Sequence, residues 1–113
     1  MKPNHKVYVI AEVDVTNTDA YAKEYGAKVQ PLIEKLGGRF VAIGDREAIS
    51  GGKVTPIEGN APKPKTLVVI ELWDSLDKVQ AWRANPEFKQ LHEKVGLKYA
   101  SFRTFAVDGA PAN

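Results

Sequence analysis

Two glutamates are the residues of this sequence best suited to acid–base chemistry. Glu12 lies in the motif AEVD and Glu71 in the motif IELWD, each directly before a predicted helix. Two carboxyl groups on an apolar surface lose hydration and raise each other's pKa, so that one can stay protonated near neutral pH. Such a group can act as a general acid or base on a bound substrate. The alternative is a structural ion-pair network across a dimer with Arg39 or Arg103, because buried charges need partners.

A third candidate for proton transfer is His92, which lies four residues after Phe88 on the inward face of the last predicted helix. It could shuttle protons or bind haem iron as an axial ligand. The alternative is a half-buried packing residue with one hydrogen bond. The other histidine, His5, is far away in the sequence, and there is no cysteine. We therefore predict no metal site and no cofactor.

Aromatic side chains could line a pocket between the predicted helices and the sheet, or anchor an interface. Those at helical spacing, such as Tyr25 and Phe88, are usually core residues. Trp73 lies at the end of a predicted strand and is expected to point away from the helices, which favours a ligand site or an interface. The candidate ligand-binding residues are Trp73, Tyr8, Tyr21, Arg39 and Arg103.

The hydrophobic pattern predicts the strands that must position these side chains. Residues 7–15 alternate, with Val7, Val9, Ala11 and Val13 on one face, as expected for a strand with one apolar side. Further strands are predicted at residues 39–44, 66–73 and 99–107. The segment 45–65 is rich in glycine and proline, and we expect a short strand or hairpin there, at Arg46–Ile49 and Lys53–Glu58.

Helices are predicted after the first and third of these strands. The first begins near Asn17, Pro31 should kink or restart it, and Gly37-Gly38 should end it. The second begins at the N-cap residue Ser75, breaks at Asn85-Pro86 and restarts there. Gly96 should end the restarted helix, and residues 109–113 should be frayed.

The resulting order is strand, helix, strand, strand, helix, strand. It predicts the α+β class and a ferredoxin-like plait, an antiparallel sheet with both helices on one face and the first and third strands at its centre. By the symmetry of the two halves, Glu12 and Glu71 are expected to be neighbours on the face of the sheet that the helices leave uncovered. That face is also expected to carry Tyr8, Ile10, Leu67, Val69 and Trp73. Soluble monomers avoid large exposed apolar patches, so we predict a symmetric homodimer.

Composition narrows the class of protein. The 113 residues suit one domain, and 43% hydrophobic and 27% charged residues are ordinary globular values. The net charge is +2, and the basic residues are scattered, so no nucleic-acid or membrane surface is predicted. No long apolar run resembles a signal peptide or a membrane span. We therefore expect a cytoplasmic protein.

Four segments together resemble one known family. They are VYVIAEVDVTNTDAYAKEY, LGGRFVAIG, VVIELWDSLDKVQAW followed by NPEF, and FRTFAVDG. In order over about residues 7–109, they resemble domain of unknown function 1330 (DUF1330). The resemblance implies a single domain over residues 1–113, with its core at about 6–108, and a dimeric α+β barrel. That superfamily includes cofactor-free monooxygenases, isomerases, chlorite dismutases and haem-degrading enzymes, so the fold does not select a function.

Three functions remain open at this stage. The first is binding of a small apolar or aromatic molecule by an uncharacterised dimeric protein. The second is a cofactor-free monooxygenase or isomerase on a small aromatic or enolisable substrate, with Glu71 or His92 as the base. The third is haem binding through His92, although Tyr8 and Glu12 stand where the haem-degrading relatives would need an asparagine. The segment 45–65 could reach the partner and cover its pocket.

Overall fold

Strands and helical segments alternate along residues 5–111, the part of the chain that the computed structural model describes. The strands are β1 (Val7–Val15), β2 (Arg39–Asp45), β3 (Gly52–Lys53), β4 (Thr66–Trp73) and β5 (Ala100–Asp108). The first helical segment comprises α1 (Thr18–Ala20), a π-helical stretch (Tyr21–Gly26) and α2 (Ala27–Leu36). The second comprises α3 (Leu76–Ala84), α4 (Pro86–Leu91), a π-helical stretch (His92–Gly96) and α5 (Leu97–Tyr99). None of the described helices is long and apolar enough to cross a membrane.

The strands form one sheet in the order β3-β2-β4-β1-β5. β1 is antiparallel to both β4 and β5, and β2 is antiparallel to β4. The predicted α+β ferredoxin-like plait, with the first and third long strands at its centre, is confirmed. The small β3 joins the edge in parallel to β2, which makes the sheet mixed.

β1 shows which face of the sheet the helices cover. Val7, Val9, Ala11 and Val13 are all buried, as their alternation predicts. The first two pack in a cluster with residues of both helical segments, including Val29, Leu32, Val79, Trp82 and Phe88. We call this the covered face of the sheet, and the opposite side the open face.

The prediction of which β4 side chains face the helices was wrong, because the two faces of this strand are exchanged. The antiparallel register places Trp73 opposite Val7 and Glu71 opposite Val9. Directly paired residues point to the same side of a sheet, so Leu67, Val69, Glu71 and Trp73 lie on the covered face. The open face instead carries Val68, Ile70 and Leu72. The run TLVVIELW is apolar at nearly every position, so it has no alternation from which its faces could be read.

Polar side chains begin the helices largely as predicted. The Asn17 side chain accepts a hydrogen bond from the amide of Ala20 (3.1 Å). The Ser75 hydroxyl accepts from Lys78 (3.3 Å), and the Asn85 side chain accepts from Phe88 (3.0 Å). These bonds satisfy amides that have no partner within a helix.

Two helix predictions fail for identifiable reasons. Pro31 does not restart the helix, since α2 runs through it from Ala27 to Leu36 and loses only the hydrogen bond to the Ala27 carbonyl. Gly96 does not end the second segment, since it has helical angles (φ −55°, ψ −53°) and α5 follows it. A Cβ at Gly96 would lie 2.8 Å from Cε1 of Tyr25, so this glycine permits close packing.

The paired glycines after α2 have separate roles. Gly37 caps the helix in the left-handed conformation (φ 114°), as predicted. Gly38 makes room for the indole of Trp73, because a Cβ there would lie 2.6 Å from Cζ2. Trp73 is fully buried (0% exposed) and stacks on Trp82 with ring centroids 5.0 Å apart. The prediction that Trp73 points away from the helices is therefore wrong.

The segment 45–65 forms a turn, the two-residue strand β3 and a loop, so a short strand is present as predicted and the alternative hairpin is not formed. β3 pairs with Gly44 and Asp45 in parallel, and the rest of the segment is not strand. At the C-terminal end, Gly109 of the predicted frayed tail donates its amide to the Lys6 carbonyl (2.6 Å). Residues 112 and 113 of that tail lie outside the described residues.

Candidate functional site

A cavity of about 400 Å³ lies between the first helical segment, the ends of β1 and β2, and the turn after β2. We call it the outer cavity. Most of its lining is apolar, from Val15, Tyr21, Ala22, Ala27, Ile43, Ile49 and Leu67. Its polar lining residues are Thr18, Gln30, Asp45, Ser50 and Lys65. Cavities of about 300–1,000 Å³ with a few placed polar groups are typical of small-molecule sites.

A second cavity of about 70 Å³, the inner cavity, adjoins the first. The two share the lining residues Tyr21, Gly26, Gln30, Ile43 and Leu67. The inner cavity extends further under the helices, to Tyr25, Phe40 and Glu71. Its size suits a water molecule or one end of a ligand held in the outer cavity.

Glu71 is the buried carboxyl of the inner cavity. The residue is 4% exposed, and Oε1 accepts a hydrogen bond from Nε1 of Trp73 (2.9 Å). Within the part of the chain that the structure describes, no salt bridge reaches it. Desolvation raises the pKa of Glu71 from 4.5 to about 7, against the smaller lowering effects of the Trp73 hydrogen bond and of Arg83. Both protonation states are therefore populated at neutral pH, as a group that exchanges protons requires.

Tyr21 lies where the two cavities meet. Its ring packs at 5.4 Å from that of Tyr25 and at 6.4 Å from that of Phe102. Burial, together with the charge of Glu71, raises the pKa of Tyr21 to about 12. The hydroxyl therefore stays protonated at neutral pH and is available as a hydrogen-bond donor.

His92 does not line either cavity, but it contacts Tyr25, which lines the inner one. Its Nδ1 is 2.8 Å from the hydroxyl of Tyr25, and its ring stacks on Phe88 with centroids 5.2 Å apart. Burial lowers the pKa of His92, and one hydrogen bond joins its Nδ1 to the Tyr25 hydroxyl. This geometry matches the packing alternative, a half-buried histidine with one hydrogen bond.

Glu12 lies on the open face, and its predicted proximity to Glu71 is wrong. It pairs with Arg103, whose guanidinium is 3.6 Å from Glu12 and 2.6 Å from Asp14. The hydrogen bonds from Arg103 and then Thr66 lower the pKa of Asp14 to about 2. Arg103 is therefore the partner of Glu12, but the pair forms within one chain, whereas the alternative placed it across a dimer.

The remaining sequence candidates do not join the cavities. Tyr8 is on the open face and 36% exposed. Arg39 is exposed on β2, opposite Leu72 and therefore on the open face too. Trp73 touches the site only through its hydrogen bond to Glu71. Of the ligand-binding candidates, only Tyr21 lines both cavities.

Asp45 was missed by sequence reasoning. It is 3% exposed and holds the turn after β2, accepting hydrogen bonds from the amides of Glu47 (2.8 Å), Ile49 (3.1 Å) and Ser50 (2.8 Å). The Ser50 hydroxyl also donates to it and is the largest of the effects that lower the pKa of Asp45 to about 2. The signal was available, because an aspartate followed by a short polar stretch is a common turn motif.

Within residues 5–111, no three histidine, aspartate or glutamate side chains come close enough to hold a metal ion. The profile of the family described as domain of unknown function (DUF1330) matches residues 6–110. This chain belongs to the DUF1330 family. The resemblance found in the sequence is thereby confirmed. No curated protein matches this DUF1330 chain.

Solved structures share the fold of this DUF1330 protein at low sequence identity. A protein of unknown function from Rhodopseudomonas palustris superposes with a TM-score of 0.70 at 15% identity, over 97% of this chain and 86% of that one. SnoaB, a cofactor-independent oxygenase from Streptomyces nogalater, gives 0.64 at 15% identity, over 96% of both chains. A putative antibiotic biosynthesis monooxygenase from Nitrosomonas europaea gives 0.63 at 12% identity, over 96% and 94%. At these identities the likeness shows the fold alone.

Proposed function

We propose that this protein binds a small apolar or aromatic molecule in the outer cavity and presents it to Glu71 in the inner one. The observation that carries the proposal is the junction of an apolar cavity with a buried carboxyl that has no cationic partner in the described chain. Burying such a group costs stability, and strongly perturbed carboxyls in clefts are concentrated at functional sites. Core packing alone would be served as well by an apolar residue.

The chemistry that this arrangement supports best is proton transfer on an enolisable substrate. The ionised carboxylate of Glu71 takes a proton from the substrate and returns it at a second position, so the reaction is an isomerisation that needs no other reactant. Tyr21 is placed to donate a hydrogen bond to an oxygen of the intermediate. With dioxygen as co-substrate, the same deprotonation would begin a cofactor-free oxygenation, the activity named for SnoaB.

A fluorescent apolar probe tests the binding site directly. N-phenyl-1-naphthylamine brightens when it leaves water, and we expect it to bind the wild-type protein. Ala22→Trp should weaken this binding strongly, because Ala22 lines the outer cavity and an indole there occupies space that the two-ring probe needs. Ala81→Trp is the matched control, since Ala81 is an exposed helical alanine that does not line either cavity. Equal binding by both variants and the wild type would refute the proposed site.

The open face supports a second part of the proposal, a homodimer. Its apolar side chains are Tyr8, Ile10, Val68, Ile70, Leu72, Phe105 and Val107, and Phe105 and Val107 are about half exposed (49% and 48%). Acidic and basic groups, Asp14 with Arg103 and Arg39, flank this patch, so it is complementary to a second copy of itself. Two sheets packed through these faces would remove the patch from water.

Native mass spectrometry tests the dimer. We expect the mass of two chains for the wild type and of one chain for Phe105→Asp. Ile57→Asp is the control, because Ile57 is 95% exposed but lies in the loop and not on the sheet. A wild-type protein that is monomeric at all concentrations would contradict the dimer.

A further inference from the structure

The outer cavity contains two charged side chains, and only one of them has unused hydrogen-bonding capacity. A carboxylate accepts about four hydrogen bonds. Asp45 already accepts four, from the amides of Glu47, Ile49 and Ser50 and from the Ser50 hydroxyl. Its two oxygens are therefore occupied by the turn that they hold together, and a ligand finds no free acceptor there.

Lys65 is the other charged residue of the outer cavity. It directly precedes β4, in a turn closed by the hydrogen bond from the Thr66 amide to the Lys63 carbonyl (3.0 Å). This turn fixes its backbone at the rim of the cavity. Among the described residues, Lys65 forms no salt bridge. No carboxylate of the described chain therefore holds the Lys65 side chain, and its donors can reach a ligand.

The inner cavity differs from the outer one in its charged lining. Glu71 and Tyr21 line it, and Lys65 does not. An anionic group beside Glu71 would face a second carboxyl in a desolvated space, which is unfavourable. Among the described lining residues, Lys65 is the one cation, and it lies at the outer end. The negative charge of Asp45 in the same cavity is compensated by the four donors of its turn, so the position of Lys65 orients an anionic ligand.

We infer that the ligand is an aromatic or conjugated monoanion, whose acid group binds Lys65 at the rim and whose uncharged end points towards Glu71. The inference rests on the proposed function, because it names the substrate class of the same site. The inner end then carries the enol or acidic C–H that Glu71 deprotonates, and the outer acid group takes no part in the chemistry.

Two probes with the same ring system test this charge preference. 8-Anilino-1-naphthalenesulfonate is N-phenyl-1-naphthylamine with one added sulfonate, which stands in for the acid group of the ligand. We expect the sulfonate probe to bind about two- to five-fold more tightly at low salt, the range for a solvent-accessible ion pair. The preference should fall in about 0.5 M sodium chloride, because salt screens exposed charges.

The decisive variants are Lys65→Met and its control Lys63→Met. Both remove one positive charge from the same loop, but Lys63 does not line either cavity. We expect Lys65→Met to bind the two probes equally and Lys63→Met to keep the wild-type preference. Ala22→Trp should weaken the binding of both probes strongly, which shows that the signal comes from the cavity and not from the open face.

The outcomes separate this inference from the proposed function. If the uncharged probe binds the wild type at least as tightly as the sulfonate, or if both lysine variants behave alike, the anionic ligand is wrong while the cavity remains a binding site. If neither probe binds, or if Ala22→Trp has no effect, the proposed function fails and the inference fails with it.

Discussion

Glu12 and Glu71 occupy similar positions in the two halves of the chain and have opposite environments. Each lies near the end of a central strand of the sheet, before a helical segment. Glu71 is on the covered face, 4% exposed, with an indole as its hydrogen-bond partner. Glu12 is on the open face, partly exposed, with Arg103 at 3.6 Å. The register between β1 and β4 accounts for the difference, because it aligns Glu71 with Val9 and not with Glu12.

The carboxyl groups on the two faces therefore have different partners. On the open face, Asp14 and Glu12 share an arginine in contact with solvent, an arrangement that contributes little to stability and is easily replaced. On the covered face, a carboxyl stays in the core without a counter-ion in the described chain and with a pKa raised to about 7. An unpaired buried acid is costly, and this cost is why we place the chemistry on the covered face.

The largest effect on stability is expected when Trp73 is replaced, since its indole is buried and donates a hydrogen bond to Glu71. Trp73→Ala should lower the free energy of unfolding by about 4 kcal/mol, because it removes a fully buried ring and leaves a cavity. Trp73→Phe keeps most of the packing and should cost about half as much. Urea unfolding measures both. A loss below about 1 kcal/mol in Trp73→Ala would contradict the packing described for the covered face.

The next effect is the pH dependence of stability that Glu71 causes. Its folded-state pKa of about 7 exceeds the ordinary 4.5, so the folded protein holds this proton more tightly than the unfolded chain. The stabilisation is complete below about pH 4.5, declines as the pH rises and is lost above about pH 7, a change of about 3 kcal/mol. Glu71→Gln should remove this decline.

Glu12→Gln is the matched control for that experiment and should keep the wild-type decline. Comparison with Glu71→Gln also isolates Glu71 from His92, whose pKa is lowered by burial and whose effect on stability has the opposite sign. Parallel stability profiles for the wild type and Glu71→Gln, measured by urea unfolding from pH 4 to pH 9, would show that Glu71 titrates normally.

The smallest effect is expected on the open face. Arg103→Gln should cost less than about 1 kcal/mol, and less still at high salt, because the ion pairs are exposed. The same change should raise the pKa of Asp14 from about 2 towards 3.8, since Arg103 is the main cause of its lowering. An NMR titration of the Asp14 carboxyl measures this shift. Lys6→Gln, which breaks the exposed pair with Asp74, should leave Asp14 unchanged.

Several parts of this fold were predictable because short-range rules govern them. The alternation in β1 identified its buried face, and Ser75 and Asn85 cap helices as their positions indicate. The faces of β4 were not predictable, because its sequence is apolar on both sides and only pairing with β1 decides. Gly96 was misread for a similar reason, since its role depends on a ring of Tyr25 far away in the sequence.

For the candidate site, too, the residues could be predicted where local sequence was enough, and their spatial neighbours could not. Glu71 and Tyr21 were identified as chemically suitable residues, and both line the inner cavity. The predicted neighbours of Glu71 were wrong. The sequence placed Glu71 beside Glu12 by symmetry and placed both Glu71 and Trp73 on the face away from the helices. Asp45 ends β2 and Lys65 lies in the loop before β4, and nothing local placed either residue beside the first helical segment.

We propose that Glu71 exchanges protons at the inner end of a ligand cavity. A ¹³C NMR titration of its side-chain carboxyl, assigned by comparison with Glu71→Gln, is the most informative test of this role. We predict a midpoint near pH 7 that rises further when N-phenyl-1-naphthylamine fills the outer cavity, because the probe excludes water. A midpoint near pH 4.5 that the probe does not change would contradict the account.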